Sequence, residues 1–301
     1  MNLSGNARGA LFMAVAMAGF TCNDALVKSV TATMNTGQIL FVRGLMTTML
    51  VVAIAHWVGA LRSWRVILQP AVMLRLVAEI FASIAYVSAL GAMPLANTAA
   101  ILQALPLAVT LGAALFLGEK VGWRRWLAIT AGFAGVLIVI RPGPEGFSLA
   151  AVYVIASVVG AAARDLATRQ ISSDVPSLFV SAVTSATITL TGAVLIQPLG
   201  GWQPMSAETF GRLVVASALL LIGYQGIVSA MRSGEISFIA PFRYTSLLWA
   251  IAIGFLFFGE LPDLWMTVGV AIIVASGLYT FYRENRRSAA AVAQESKPES
   301  P

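Results

Sequence analysis

Several ionisable residues interrupt long apolar stretches of this chain, and five of them are the side chains best placed to do chemistry. They are Asp24, Arg43, Glu79, Asp165 and Arg243. Charges are costly inside a bilayer, so such groups normally face a bundle interior or a watery cavity. Position along the stretches predicts an Asp24–Arg43 ion pair near one membrane surface. It predicts a cluster of the other three near the opposite surface.

Three roles fit these two clusters. They could contact a substrate or gate a cavity, they could carry a coupled proton, or they could hold helices together as structural ion pairs. Breaking a buried pair costs ~3–5 kcal/mol, so folding alone can explain why such residues exist. The sequence leaves the choice open, although the matched positions of Asp24 and Asp165 favour a role on either side of a central cavity.

Neutral polar residues lie nearer the middle of the apolar stretches. Aromatic rings supply contact area and amides fix orientation, a combination that suits a planar, hydrogen-bonding organic solute. For any single tyrosine the alternative is ordinary packing with its hydroxyl on a backbone carbonyl. As a group, we expect the following residues to line a substrate site: Asn23, Tyr86, Gln103, Tyr224, Gln225 and Tyr244.

The elements that must position these residues are membrane helices. The chain is 58% hydrophobic and 11% charged, whereas a soluble domain carries ~25% charge. Each apolar stretch is near the ~20 residues that a ~30 Å hydrocarbon core requires of a helix. We predict an all-α protein with spans 1 to 10 at about 9–28, 38–58, 72–90, 96–117, 123–140, 147–167, 176–198, 212–230, 237–258 and 264–282.

The last five spans repeat the first five at a constant offset. The offset of 141 residues that separates Asp24 from Asp165 also places Gly118-Glu119 on Gly259-Glu260 and Gln103 on Tyr244. An odd number of spans per copy inverts the second copy, as in secondary transporters that bind substrate between their halves. We predict repeats over residues 1–143 and 144–284, followed by a disordered tail over 285–301.

Prolines mark spans 4 and 9, which are equivalent in the two copies. Pro94, Pro106 and Pro241 each lack a backbone donor and can kink a helix or begin one. A kink beside Gln103 or Tyr244 would widen a cavity or act as a hinge.

The basic residues are distributed unevenly about the membrane. With a cytoplasmic amino terminus, only Lys28, Arg141 and Arg212 fall on the outer side. Such an imbalance predicts that both termini are cytoplasmic, and it explains the net charge of +6 without nucleic acid. The inner segments carry Arg8, Arg62, Arg65, Arg75, Lys120, Arg124, Arg125, Arg164, Arg169, Arg232, Arg283, Arg286, Arg287 and Lys297.

Catalytic and metal-binding patterns are missing from the sequence. His56 is the sole histidine and Cys22 the sole cysteine. No P-loop lysine follows a glycine-rich turn, and no serine lies in a nucleophile elbow. We therefore expect neither an enzyme nor a cofactor, with a membrane-embedded enzyme as the disfavoured alternative.

The repeated Leu-Phe-x-Gly-Glu ending of spans 4 and 9, at Leu115–Glu119 and Leu256–Glu260, resembles the EamA type of the drug/metabolite transporter superfamily. The resemblance covers about residues 8–284. It implies a basket-like bundle of two inverted repeats with a central cavity lined chiefly by spans 1, 3, 4, 6, 8 and 9. It also implies transport by alternating access.

Within that family, the segments Arg8–Leu11, Ala18–Asp24 and Arg43–Leu45 are similar to bacterial riboflavin importers. The resemblance implies uptake of riboflavin, a small planar solute, across a bacterial cytoplasmic membrane. Export of amino acids, drugs or other metabolites is the alternative. The sequence does not reveal the coupling ion or the oligomeric state.

Overall fold

The computed structural model describes residues 5–119, 121–143, 147–172 and 174–295, so the predicted inner cations Lys120 and Lys297 lie outside it. Within these residues, ten helices are long and apolar enough to cross a membrane, which confirms the predicted fold class. Spans 1 to 10 are Gly5–Val30, Thr36–Trp57, Pro70–Ala92, Leu95–Phe116, Trp123–Ile140, Leu149–Thr168, Ser177–Ile196, Ala207–Ser233, Ala240–Phe258 and Leu264–Arg283.

Local sequence signals set the ends of several spans. Side chains of Asn35, Ser148 and Ser206 accept hydrogen bonds from backbone N–H groups in the first turns of spans 2, 6 and 8. Such caps satisfy donors that the helix itself leaves unpaired. Pro70 begins span 3, and Gly259, in the left-handed region with φ 65°, ends span 9. The short loops between spans therefore follow from ordinary capping chemistry.

The main helix contacts join one copy of the repeat to the other. Span 1 packs on span 8, span 3 on span 6, span 2 on span 7, and span 5 on span 10. Exchanging the copies turns the first pair into the second and returns the last two pairs to themselves. Thr48 and Thr189, which are equivalent positions, touch through their hydroxyls at 3.0 Å. The contact pattern therefore has an approximate two-fold axis between the copies.

Two pairs of equivalent spans, 2 with 7 and 5 with 10, run in opposite directions. In the pairing of spans 2 and 7, Gly37 lies against Leu195, and Gly44 against Thr189 further along span 2. A Cβ on Gly192 would meet the backbone of Phe41, so glycine permits the close approach. Spans 5 and 10 approach in the same antiparallel manner. This is the geometry that an inverted repeat requires.

Spans 4 and 9 are irregular at equivalent places. Span 4 consists of helices Leu95–Leu102 and Leu105–Phe116, with Gln103 between them. Span 9 begins as a 3₁₀ segment, Ala240–Tyr244, before its α-helix Thr245–Phe258. Pro106 lies in the first turn after the break in span 4, and Pro241 lies in the first turn of the 3₁₀ segment of span 9. A residue without a backbone N–H donor costs least in a first turn.

The outer surface of the bundle is apolar. Large exposed side chains include Phe116, Leu190, Val194 and Leu248 along the spans. A soluble protein rarely exposes continuous apolar surface of this extent, whereas a bilayer covers it. Exposed tryptophans occur near span ends, as in the interfacial belts of membrane proteins; they include Trp57, Trp64, Trp123, Trp202 and Trp265.

The last helix extends beyond the predicted span. It runs from Leu264 to Glu295 and therefore covers residues 285–295, where the sequence predicts a disordered tail. The alanine-rich run from Ala289 to Ala293 has high helix propensity, which accounts for the difference. Residues 296–301 of that predicted tail lie outside the described part of the chain.

Candidate functional site

Three polar residues meet between spans 1 and 3, and we call Asn23, Asp24 and Tyr86 the Asp24 group. The Tyr86 hydroxyl donates to Asp24 Oδ2 at 2.6 Å, and the Asn23 amide donates to Asp24 Oδ1 at 2.9 Å. Asn23 is fully buried, and its Oδ1 has no hydrogen-bond partner among the described residues. The group thus holds a carboxylate by neutral donors and retains an unused acceptor beside it.

The predicted Asp24–Arg43 ion pair is not formed. The two side chains are not within ion-pair distance, although the charge of Arg43 acts on both Asp24 and Tyr86 through space. Asp24 and Arg43 do lie on neighbouring helices toward the same surface, but the Asp24 carboxylate accepts its hydrogen bonds from Tyr86 and Asn23. The predicted partner of Asp24 was therefore wrong, because Tyr86 of span 3, and not Arg43, binds its carboxylate.

A second group lies between spans 3 and 6, and we call Glu79, Arg164 and Asp165 the Arg164 group. The Arg164 guanidinium lies 3.2 Å from Glu79 Oε2 and 2.8 Å from Asp165 Oδ1. Glu79 and Asp165 were predicted to cluster, and they do, through a cation that the sequence-based analysis placed only among the inner basic residues. The repeat contained the missing signal, because the offset places Arg164 on Asn23.

Span 3 connects the two groups through one polar face. Glu79, Ser83 and Tyr86 are three and four residues apart, and Ser83 donates to Glu79 at 3.3 Å. Seven residues of helix separate Glu79 and Tyr86 by ~10 Å. Tyr224 of span 8 is 57% exposed, and it interacts electrostatically with Glu79, Arg164 and Arg43. These residues therefore form one polar lining within the bundle.

The remaining predicted substrate residues have other neighbours than the Asp24 group. Gln103 donates to Ser246 Oγ of span 9, at the break in span 4. The Tyr244 ring lies against Gly277 of span 10, where no side chain would fit. Gln225 is exposed and shares an arc of span 8 with the exposed apolar residues Val214 and Ile222. Among the described residues, Gln103, Tyr244 and Gln225 thus make no hydrogen bond to the Asp24 group.

A polar cavity of about 220 Å³ opens at one end of the bundle, which we call the Arg169 end. It reaches inward to Leu105 and Pro106 at the break in span 4. The volume is below the ~300–1,000 Å³ typical of small-molecule sites, so it is better described as a vestibule. Its charged lining residues are Glu119, Arg125, Asp165, Arg169 and Arg243. Arg243 therefore joins Asp165 here, as predicted, but it forms no ion pair with a described residue.

The opposite end, which we call the Lys28 end, is closed. Lys28 Nζ pairs with Glu260 at 3.2 Å and donates to the carbonyls of Leu90 and Met93. Glu260 also accepts the N–H of Leu95 at 2.8 Å. Span 4 begins at Leu95 and ends before Glu119, so the two ends are separated by its length of ~33 Å.

Among the residues that the structure describes, no group of three or more His, Cys, Asp or Glu could hold a metal ion. The arrangement offers hydrogen bonding, charge and aromatic surface between two repeats. These features suit reversible binding of a solute.

A bundle of ten membrane spans, paired between two copies around a polar lining, defines a transporter-like membrane protein. Residues 7–141 match the EamA-like transporter family of the drug/metabolite transporter superfamily. The fold resembles that of a solved crystal structure, with a TM-score of 0.59 and 18% sequence identity. The alignment covers 89% of this chain and 94% of the chain in that structure. That likeness supports the fold alone.

Several curated relatives share sequence similarity with this chain. It is 29% identical over 211 residues to a riboflavin transporter of Rhizobium johnstonii, with 67% of each chain covered. It is 30% identical over 197 residues to a riboflavin transporter of Vibrio cholerae, with 65% of each covered. It is 27% identical over 274 residues to the pseudopaline exporter CntI of Pseudomonas aeruginosa, covering 89% of this chain and 94% of that protein.

Proposed function

We propose that this protein is a secondary transporter that takes up riboflavin across a bacterial cytoplasmic membrane by alternating access. The Asp24 group is the observation that supports this proposal most directly. A carboxylate held only by neutral donors, beside a buried acceptor without a partner, suits a neutral solute that brings its own N–H or O–H groups. The similarity to two riboflavin transporters is consistent with that chemistry.

Riboflavin matches this lining in shape and in polarity. Its ring system is planar, with an imide N–H between two carbonyls, and its ribityl chain carries hydroxyls. Tyr86 and Tyr224 supply aromatic surface, while Asp24 and Asn23 supply acceptors for the imide N–H. In this proposal Tyr86, Asn23 and Tyr224 are substrate-binding residues, and Arg43 orients the substrate through its charge.

Export is the second candidate function, and one observation favours it. The similarity to the pseudopaline exporter extends over 94% of that protein, further than the similarity to either riboflavin transporter. An exporter would use the same polar lining for a different metabolite. The two candidates predict opposite directions of net flux.

The test is uptake of labelled riboflavin by a riboflavin-requiring bacterium that expresses this chain. We expect uptake above the empty vector. Tyr86→Phe keeps the aromatic ring but removes the hydrogen bond that positions the charged Asp24 carboxylate for the substrate, so it should reduce uptake at low riboflavin by about tenfold. Tyr279→Phe is the matched control, because Tyr279 lines an apolar groove between spans 5 and 10.

Each alternative result has a defined meaning. Uptake no higher than the vector, with the protein present in the membrane, removes the flavin assignment. Faster loss of preloaded riboflavin from cells would favour export. Equal uptake by the Tyr86→Phe and Tyr279→Phe variants would contradict the proposed binding role of Tyr86.

The proposal also places both termini in the cytoplasm. Reporter fusions after Glu119 and after Glu260 should then lie on opposite sides of the membrane, with Glu119 inside. A common location for both fusions would contradict the inverted orientation of the two repeats.

A further inference from the structure

Two ion pairs occupy equivalent positions at the two ends of the bundle. Lys28 pairs with Glu260 at 3.2 Å, and Arg169 pairs with Glu119 at 3.2 Å. The offset of 141 residues places Lys28 on Arg169 and Glu119 on Glu260. One pair therefore is the image of the other across the approximate two-fold axis.

The surroundings of the two pairs differ sharply. The side chains of Lys28 and Glu260 are 12% and 19% exposed, whereas those of Arg169 and Glu119 are 53% and 46% exposed. Lys28 and Glu260 also bind the backbone of Leu90, Met93 and Leu95. In the described part of the chain, no further partner holds the side chains of the second pair.

The apolar packing follows the same division. Val27, Val30 and Leu90 are fully buried around the Lys28–Glu260 pair. Their equivalents around the Arg169–Glu119 pair are Thr168, which is exposed, and Ile171 and Met231, which are half-buried. The structure therefore combines a sealed Lys28 end with a loosened Arg169 end, at sites related by the repeat.

We propose that these two pairs are the alternating gates of the transporter, and that the structure shows the state in which the Lys28 gate is shut. The inference rests on the proposed alternating-access function. In the opposite state the repeats exchange their arrangements. Arg169 then binds the carbonyls of Met231 and Gly234, and Glu119 accepts the N–H of Ile236, as their equivalents do here. The Lys28–Glu260 pair correspondingly loses its backbone contacts.

Two equivalent positions report the state of each end. Val109 lines the open cavity, whereas its equivalent Ala250 is fully buried. In a Cys22→Ser background, Val109→Cys and Ala250→Cys are compared for labelling by a water-soluble maleimide. Purified protein in nanodiscs exposes both ends to the reagent, so the result does not depend on membrane orientation. We expect Val109→Cys to be labelled and Ala250→Cys to be protected.

The gates are tested by equivalent substitutions with opposite expected effects. Glu260→Gln should raise the labelling rate of Ala250→Cys by about tenfold and slow that of Val109→Cys, because it weakens the shut gate. Glu119→Gln should leave Ala250→Cys as protected as before or more so. If Glu260→Gln is not produced as a monodisperse protein, Lys28→Met removes the same pair, with Lys28→Arg as the conservative control.

The outcomes separate this inference from the proposed function. Labelling requires no substrate, so a protein that does not transport riboflavin still tests the gates. The gate assignment is overturned if both substitutions change Ala250→Cys labelling in the same direction, or if neither changes it. Riboflavin uptake together with such a result would leave the transport function in place.

Discussion

Asp24 and Asp165 are equivalent residues of the two repeats, yet their surroundings give them different chemistry. Asp24 binds the amide of Asn23 and the hydroxyl of Tyr86, both neutral. Asp165 binds the guanidinium of Arg164, which also pairs with Glu79. One carboxylate therefore keeps a charge that a solute can still meet, while the other is already compensated.

One position accounts for part of the difference, and the other part is that Ile227 takes the place of Tyr86 in the second copy. Asn23 and Arg164 immediately precede the two aspartates and are equivalent by the repeat. An amide there leaves Asp24 without an ion pair, whereas an arginine there joins spans 3 and 6 through two carboxylates. In the proposed function, the first copy then carries the binding chemistry and the second copy the structural chemistry. The approximate symmetry of the helix contacts does not extend to the partners of these side chains.

Removing Arg164 should have the largest effect. Arg164→Met leaves Glu79 and Asp165 without their shared cation, and we expect a loss of about 3 kcal/mol of stability. This lies at the low end of the cost of breaking a buried pair, because the Glu79 side chain is 17% exposed and that of Asp165 is 38% exposed. Thermal unfolding of the purified protein, followed by size-exclusion chromatography, measures the change.

Arg212→Met provides the control for that loss. Arg212 pairs with Glu208 one turn away on the exposed start of span 8, where an ion pair contributes ~0–1 kcal/mol. Similar destabilisation by Arg164→Met and Arg212→Met would show that the Arg164 group has no special structural role.

Neutralising the two aspartates tests the comparison directly. Asp24→Asn should lower riboflavin uptake by about tenfold or more, since a hydrogen bond to a charged group is worth ~1.5–3 kcal/mol. Asp165→Asn should change uptake less than about threefold, because Arg164 retains Glu79. Uptake rates are compared at equal membrane abundance. Equal losses in the two variants would mean that both copies bind substrate alike.

The sequence predicted the helices because the length and hydrophobicity of the apolar stretches determine them. All ten predicted spans are present, with boundaries that differ by a few residues. The irregular places in spans 4 and 9 were also foreseeable from Pro106 and Pro241, because a residue without an N–H is tolerated in the first turn of a helix but kinks or breaks its interior.

The partners of the buried charges were harder to predict. The expected depth in the membrane correctly placed Glu79 and Asp165 together. Depth does not specify the direction in which a side chain points around its helix axis. Arg164 was therefore missed, and Arg43 was assigned to a carboxylate that Tyr86 occupies. For the same reason Gln225, only one residue from Tyr224, lies on another face of span 8. Helix packing decides these rotations, and single-sequence patterns do not contain it.

The two-fold axis that underlies the comparison can be tested where it passes between Thr48 and Thr189. The Thr189 hydroxyl donates to Ser185 O at 2.8 Å, so Thr48 donates to Thr189. We expect Thr48→Val to cost ~1 kcal/mol, and a double-mutant cycle with Thr189→Val to give a coupling of ~0.5–1 kcal/mol. Additive losses in thermal stability would indicate that the two hydroxyls do not interact.

The smallest effect concerns Asp263, a carboxylate outside the membrane that serves as a water-exposed reference for Asp24 and Asp165. Asp263 caps the N–H of Met266 at 2.8 Å and pairs with Arg141, and these bonds lower its pKa below the ordinary 3.8. Its stabilising contribution is therefore complete above pH 3.8 and is lost as the pH falls through the lowered pKa. Thermal unfolding of the wild type and Asp263→Asn should differ at neutral pH and converge in acid. A difference in thermal stability between the two proteins that grew as the pH fell would contradict the capping role of Asp263. Asp263 could then not serve as the water-exposed reference for Asp24 and Asp165.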